Sequence, residues 1–138
     1  MRPSLGAEAG VGLYRLLRLA AFDTMAGAEA IAAARGAGEK IGRSLGLRKL
    51  DDLAALCRSL KLGIVDVSIV TETCLRIALR ECAACAGAQE SGDAVCHFEG
   101  GLLAGAVGVI FGRSVRFRET TCQGGHGDDA CRFEIDFL

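Results

Sequence analysis

Apolar residues recur at intervals of three and four along the first part of the chain, which is the period of an amphipathic helix. The pattern predicts a first helix over 8–22. Asp23 and Thr24 offer N-caps for a second helix that runs to about Leu45. A third, shorter helix is predicted over 51–60, because two aspartates open this segment and a glycine follows it. The chain therefore begins with a helical section.

The pattern changes to a period of two in the middle of the chain. Apolar and polar side chains alternate over 65–69 and over 75–79, which predicts two half-buried strands. The same alternation over 115–119 and over 131–137 predicts a second hairpin, whose strands are joined by a glycine-rich loop at 123–129. Because strands joined by short loops pair antiparallel, we expect a small antiparallel sheet.

A glycine-rich helix is predicted over 97–112, between the two pairs of strands. Gly101, Gly105, Gly108 and Gly112 follow one another at helical spacing and so share one stripe of this helix. Each glycine costs about 1 kcal/mol of helix propensity relative to alanine. We therefore expect the stripe to permit the close approach of another backbone or of a ligand.

The order of these elements predicts an α+β fold, in which N-terminal helices pack on a small antiparallel sheet with a Gly-rich crossing helix and a C-terminal hairpin. The chain has 138 residues, which is an ordinary length for one domain. We expect a single domain over 1–138. Its helical lead-in would occupy 1–61, and the sheet and crossing helix would occupy 62–138.

Composition and charge narrow the classes of function. The chain has 16 Lys and Arg against 17 Asp and Glu, and this net charge of -1 argues against a nucleic-acid-binding protein, which needs a basic excess. The N-terminus lacks the apolar run of a secretory signal, and no apolar run is long enough to span a membrane. We therefore expect a cytoplasmic protein without a membrane span.

Seven cysteines are many for a chain expected in a reducing compartment, where clustered cysteines are more often metal ligands than disulfides. By strand parity, Glu119 and Cys131 point towards the core, and a buried carboxylate needs a partner such as a metal ion. Cys122 follows Glu119 by three residues, and Cys96 directly precedes the glycine-rich helix. Together, Cys96, Glu119, Cys122 and Cys131 would make a tetrahedral zinc (Zn2+) site.

Other interpretations of these residues stay open at the level of the sequence. Each cysteine is also suited to packing in the core, and Glu119 is exposed if its strand faces the other way. The CxxC pair of Cys82 and Cys85 fits additional metal ligands, a redox disulfide or simple packing. His97 and His126 are candidates for orienting the metal ligands by contact from behind, and His126 is also a candidate for a substitute ligand. Solvent exposure is the alternative for both histidines.

Four short segments of the C-terminal half carry a distinctive pattern. They are ECAACAG at 81–87, VCHFEGGLLAG at 95–105, RETTC at 118–122 and GDDACRFEI at 127–135. This pattern resembles the 4-vinyl-reductase domain family over about residues 62–138. The spacing of one cysteine, a Glu-x-x-Cys motif and a final cysteine is the most specific part of the resemblance.

The resemblance implies a fold related to the ligand-binding domains of nitric-oxide-sensing haem proteins and of Golgi-tethering TRAPP subunits. Family members include a bacteriochlorophyll-biosynthesis protein and the sensor domains of aromatic-responsive transcription activators. In those sensors, zinc is held by Cys, Glu, Cys and Cys. The corresponding residues here are Cys96, Glu119, Cys122 and Cys131.

Three functions follow as hypotheses. The first is a binding module for a hydrophobic small molecule, such as a tetrapyrrole or a hydrocarbon, with a structural zinc ion and a ligand pocket that the sequence does not identify. The second is an accessory protein or reductase in tetrapyrrole biosynthesis, and the third is a TRAPP-like protein-interaction module. We expect a homodimer, which is compatible with all three. We predict no catalytic residue and lean against an enzyme, because nucleotide-binding, serine-nucleophile and HExxH motifs are absent.

Overall fold

The computed structural model describes residues 10–12, 14–15, 27–88 and 90–138. The helices of these residues are α1 (Gly27–Ser44), α2 (Leu50–Ser59), α3 (His97–Phe111) and the one-turn α4 (Gln123–His126). The strands are β1 (Ile64–Thr71), β2 (Cys74–Arg80), β3 (Val115–Thr121) and β4 (Cys131–Phe137). The predicted α+β class is therefore confirmed.

The four strands form one antiparallel sheet in the order β1-β2-β4-β3. Two hairpins lie side by side, and β2 of the first pairs with β4 of the second. In this pairing, Leu79 lies opposite Cys131 and Ile77 lies opposite Phe133. The register brings the chain that leaves the end of β2 next to the beginning of β4.

The glycine-rich helix α3 lies between the sheet and α1. All its residues from Glu99 to Gly108 are buried, as expected for a helix that is covered on both sides. On the sheet side, a Cβ added at Gly100 would collide with the rings of Phe117 and Phe133. α3 is therefore the middle layer of the domain.

Glycines of α1 and α3 allow the two helix backbones to touch. A Cβ added at Gly38 or Gly42 of α1 would collide with backbone carbonyl oxygens of α3, and one added at Gly101 or Gly105 would collide with those of α1. The predicted backbone approach is thus confirmed for Gly101 and Gly105. The other two glycines of the stripe serve the turn into β3, where Gly112 ends the helix in the left-handed conformation (φ 62°).

Side chains of the sheet alternate as predicted on the C-terminal hairpin and differently on β1. Phe133 and Ile135 of β4 are fully buried, while neighbouring charged residues reach towards solvent. On β1 the predicted half-buried face is wrong, because only the first two residues are half-buried and Ile69 is 79% exposed. β1 is an edge strand, and its register sets Ile69 opposite Leu75 without covering it.

The predicted N-terminal helices agree with the structure where it describes them. Residues 11–12 and 14–15 are helical, and Gly10 is not. The other residues of the helix predicted over 8–22, like the proposed caps Asp23 and Thr24, lie outside the described residues. The second and third predicted helices correspond to α1 and α2, and the predicted loop at 123–129 contains the short α4. Among the described residues, no helix is long and apolar enough to cross a membrane.

Candidate metal centre

Five cysteines meet at the junction of the sheet and α3, and all are at most 1% exposed. They come from four separate parts of the chain. Cys82 and Cys85 lie in the turn after β2, Cys96 is the N-cap of α3, Cys122 is the N-cap of α4, and Cys131 is the first residue of β4. We call these five residues and Glu119 the cysteine cluster.

Sulfur–sulfur distances in the cluster suit a metal ion better than a disulfide. The Sγ atom of Cys96 lies 3.6 Å from that of Cys82, 3.2 Å from Cys85, 4.0 Å from Cys122 and 3.6 Å from Cys131. Four thiolates around one zinc ion, each at about 2.3 Å, would be separated by about 3.8 Å. A disulfide bond is only about 2.0 Å long. All five cysteines are free thiols.

Glu119 brings a carboxylate to the same place, so its predicted inward orientation is confirmed. Its Oε2 atom accepts a hydrogen bond from the backbone N–H of Cys96 at 2.9 Å. Its buried Oε1 atom has no hydrogen-bond partner among the described residues. Burial, followed by the neighbouring Cys122, raises the pKa of Glu119 to about 9. A cation beside Oε1 would provide the missing partner.

The predicted ligand set is brought together. One ligand atom from each of Cys96, Glu119, Cys122 and Cys131 lies within 4.8 Å of the other three. The sequence left the position of Cys82 and Cys85 open, and the structure adds both to the cluster. A second group of four, Cys82, Cys85, Cys96 and Cys131, satisfies the same distance limit.

Tight loops hold the sulfurs in position. The Sγ atom of Cys122 accepts a hydrogen bond from the backbone N–H of Gly125 at 3.3 Å, and the N–H of Gln123 points at the Sγ atom of Cys131 at 3.4 Å. A Cβ at Gly124 would collide with the carbonyl oxygen of Cys85. Only glycine lets α4 pack this closely on the Cys82–Cys85 turn, and N–H donors to sulfur stabilise thiolate ligands.

The Cys82–Cys85 turn is fixed from two further directions. The backbone N–H of Cys82 donates to the Oε1 atom of Gln123 at 3.1 Å. The guanidinium group of Arg15 donates to the carbonyl oxygens of Ala83 and Ala86, at 2.8 and 2.7 Å. These bonds connect the turn to α4 and to the N-terminal segment.

Each thiol of the cluster affects the pKa values of its neighbours through hydrogen bonds. Hydrogen bonds among the thiols, those with Cys122 first, raise the pKa values of Cys96 and Cys131. The same kind of bond, with Cys131 first, lowers the pKa of Cys122 to about 5. Thiols this close do not all ionise on their own, whereas a divalent cation would hold them together as thiolates.

The two histidines lie beside the cluster. The Nδ1 atom of His126 is 3.4 Å from the Oδ2 atom of Asp128, and that oxygen accepts the backbone N–H of Cys122 at 2.8 Å. His97 follows Cys96 directly and is half-buried at the start of α3. His126 is therefore linked to Cys122 through Asp128, and His97 is linked to Cys96 through the backbone.

A small apolar pocket lies farther along α3, and the sequence did not predict it. Its volume is about 10 Å³. Its polar end is formed by the hydroxyl group of Tyr14, which lies 2.6 Å from the Oε1 atom of the buried Glu99. The lining residues are Tyr14, Cys57, Leu62, Leu79, Phe98, Glu99, Leu102 and Leu103. Glu99 gave no signal in the sequence, because its burial depends on contacts between distant elements.

Relatives of known sequence cover nearly the whole chain. It is 31% identical over 138 residues to the uncharacterized protein MJ0150 of Methanocaldococcus jannaschii, a match that spans 96% of this chain and 78% of that protein. It is 28% identical over 131 residues to the uncharacterized protein MJ1642 of the same organism, spanning 95% and 80%.

Solved structures share the fold at low sequence identity. A vinyl-4-reductase family protein from Methanocaldococcus jannaschii has a TM-score of 0.79 at 18% identity, covering 97% of this chain and 85% of that one. Subunit 3 of a trafficking protein particle complex from Naegleria fowleri, covalently bound to palmitic acid, has a TM-score of 0.66 at 15% identity, with coverages of 93% and 92%. The phenol-responsive sensory domain of the transcription activator PoxR, with phenol, has a TM-score of 0.64 at 16% identity, with coverages of 96% and 76%.

The family assignment agrees with the resemblance seen in the sequence. The sequence profile of the 4-vinyl-reductase domain matches residues 75–137. This range contains every residue of the cysteine cluster. Together with the similarity to MJ0150 along almost the full chain, the match establishes that the chain belongs to the 4-vinyl-reductase domain family.

Proposed function

We propose that this chain is a small-molecule-binding module in which Cys96, Glu119, Cys122 and Cys131 hold a structural zinc ion. The observation that carries the zinc site is the buried cluster, in which these four ligand atoms are within 4.8 Å of one another. Thiolates and a carboxylate at tetrahedral spacing suit zinc. Four protein ligands leave no open position for a substrate, so the ion has a structural role.

Zinc would join parts of the chain that are distant in sequence. Cys96 precedes α3, and Cys131 begins β4. Glu119 lies near the end of β3, and Cys122 directly follows that strand. The metal would thus fasten the C-terminal hairpin to the central helix. It would also neutralise a buried carboxylate whose Oε1 atom otherwise has no hydrogen bond among the described residues. Because the unfolded chain lacks a preformed site, metal binding stabilises the folded state.

Zinc content and stability test this part of the proposal. We expect untagged protein to carry zinc by elemental mass spectrometry, and chelation to expose thiols and lower the melting temperature. Cys122→Ser should lose zinc and unfold or melt much earlier. Cys74→Ser is the matched control, because Cys74 is buried outside the cluster and its loss should leave the zinc in place. A Cys122→Ser variant with an unchanged melting temperature would refute the structural role.

We assign His126 and His97 to supporting positions around this zinc site. His126 contacts Asp128, which in turn accepts the N–H of Cys122. Removing a group that orients a ligand typically weakens metal binding about 10–100-fold. His126→Ala should therefore lower zinc affinity in a competition with a chromogenic chelator, with the fold preserved. Unchanged affinity would leave His126 as a surface residue.

A hydrophobic small molecule is the ligand class that we propose. The neighbours of this fold include a domain solved with phenol and a subunit carrying palmitic acid. Here, the apolar pocket along α3 offers leucine and phenylalanine side chains and one polar end at Tyr14 and Glu99. Its present volume of about 10 Å³ holds about one water molecule, so a ligand must widen it. Pockets for small ligands usually exceed about 300 Å³.

Binding of defined probes tests the ligand class. Phenol, palmitate and protoporphyrin are titrated into the zinc-loaded protein and followed by calorimetry. We expect at least one of them to bind, and Leu102→Trp, which fills the pocket, to abolish that binding. Val109→Trp is the control on the same helix, because Val109 is exposed and lies outside the pocket lining. Equal binding by both variants would place the ligand elsewhere, and no binding by any probe would reject these ligand classes.

A further inference from the structure

The cysteine cluster contains more donors than one tetrahedral ion can use. Five thiols and the carboxyl group of Glu119 form two groups of four ligand atoms, each within 4.8 Å of one another. Both groups contain Cys96 and Cys131. Cys82 and Cys85 complete the first group, and Glu119 and Cys122 complete the second. A single zinc ion with four ligands would leave two buried donors unused.

We propose that the cluster holds two divalent metal ions bridged by the thiolates of Cys96 and Cys131. Cys82 and Cys85 complete the coordination of the first ion, and Glu119 and Cys122 complete that of the second. Each ion then has four ligands, and every donor of the cluster is used. The proposal extends the zinc site of the proposed function by a second ion.

The geometry of the shared pair agrees with a bridge. The Sγ atoms of Cys96 and Cys131 are 3.6 Å apart. With metal–sulfur bonds of about 2.3 Å on each side, two ions that share this edge lie about 3 Å apart. The Sγ atom of Cys96 is also within 3.2–4.0 Å of the other three thiols. Cys96 is therefore placed centrally, as a bridging ligand must be.

Charge balance favours two ions over one. When all six donors are ionised, the buried cluster carries six negative charges. One divalent ion leaves an excess of about four negative charges, unless some donors stay protonated and bind no metal. Buried charge without compensation is costly. Two divalent ions reduce the excess to about two. A single zinc ion with three thiolates and one carboxylate has the same residual charge.

The competing arrangement is one ion at the centre of the cluster. Cys85, Cys96, Cys122 and Cys131 also form a compact group, since Cys85 lies 3.3 Å from Cys131 and 3.9 Å from Cys122. An ion among these four would leave Cys82 and Glu119 without a metal. Cys82 is needed for metal stoichiometry if there are two ions, and neither this competing arrangement nor the single zinc site of the proposed function needs it.

The experiment counts metal ions in the full chain. Protein reconstituted anaerobically with zinc is desalted in the presence of a weak chelator, and zinc per chain is measured by elemental and native mass spectrometry. We expect two zinc ions in the wild type and in the control Cys74→Ser, and one in Cys82→Ser. X-ray absorption should give a zinc–zinc distance of about 3 Å.

Each outcome decides between the arrangements. One zinc ion in the wild type, with no change in Cys82→Ser, overturns the two-ion site and leaves the structural zinc of the proposed function intact. No zinc at all overturns both. If Cys82→Ser does not fold, cadmium-113 resonance of the substituted wild type decides, because two signals support the bridged pair and one signal rejects it.

Discussion

Gly42 offers a sharp test of how α1 packs on α3. A Cβ at this position would collide with the carbonyl oxygen of Leu102 and lie only 2.9 Å from the backbone nitrogen of Ala106. Normal contact between non-bonded heavy atoms is about 3.5 Å or more. Because both neighbours are backbone atoms, neither can rotate away. Gly42→Ala should therefore force the two helices apart by about 1 Å.

The expected change in the free energy of unfolding of Gly42→Ala follows from two opposing effects. Overpacking of an ordered interior costs about 1–3 kcal/mol, and separating the helices weakens dispersion contacts along their interface. Replacing glycine by alanine inside a helix returns about 1 kcal/mol. We therefore expect Gly42→Ala to lower the free energy of unfolding by about 2 kcal/mol, with the overpacking effect at the upper end of its range.

Gly36 provides the matched control on the same helix. It is exposed, and a Cβ at this position meets no atom within 4 Å. Gly36→Ala should therefore gain up to about 1 kcal/mol from helix propensity alone. Urea unfolding followed by circular dichroism gives both changes as shifts of the midpoint at constant slope. Equal stability of the two variants would show that the helices do not approach as described.

Three further changes probe the sheet and the isolated cysteine. Phe133→Ala removes a fully buried ring that lies edge-on to Phe117. Urea unfolding should show that the free energy of unfolding falls by about 3–5 kcal/mol. A decrease below about 1 kcal/mol would contradict the core position of Phe133. Ile69→Thr, at an exposed position of β1, should change stability by less than about 0.5 kcal/mol. A larger loss would mean that a second chain covers this strand. Burial raises the pKa of Cys57 to about 11. Iodoacetamide at pH 8 should therefore alkylate this thiol only when the protein opens. Rapid alkylation of the native protein, detected by mass spectrometry, would contradict this prediction.

Local patterns in the sequence predicted the features that depend on neighbouring residues, such as the face of a strand on which a side chain lies. Alternation on β3 and β4 placed Glu119 and Cys131 on the inner face, because side chains of a strand alternate whatever lies next to it. Glycine spacing in α3 predicted a close approach, and the structure identifies α1 as the partner at Gly101 and Gly105. Alternation failed on β1, because burial of Ile69 depends on what covers the edge of the sheet.

The position of the CxxC pair depended on contacts that the sequence does not encode locally. The strand order puts β2 beside β4, with Leu79 opposite Cys131, so the turn after β2 arrives at the start of β4. Antiparallel hairpins alone would also allow β1 or β3 to be a central strand. The pairing of β2 with β4 therefore decides that Cys82 and Cys85 join the cluster, and only the three-dimensional structure reveals it.

One helix connects the candidate metal centre with the candidate ligand pocket. Cys96 caps α3 at the cluster, while Phe98, Glu99 and Leu102, within the next two turns, line the pocket. A metal bound to Cys96 would fix where α3 begins, and this also fixes the direction of Glu99 towards Tyr14. Coupling between two sites needs such an element, whose arrangement both ligands influence. We therefore expect metal removal to weaken binding of a hydrophobic probe without any contact between probe and metal, as measured by calorimetry before and after chelation. Unchanged affinity in a metal-free protein that remains folded would mean that packing of α3 against α1 and the sheet is sufficient to shape the pocket.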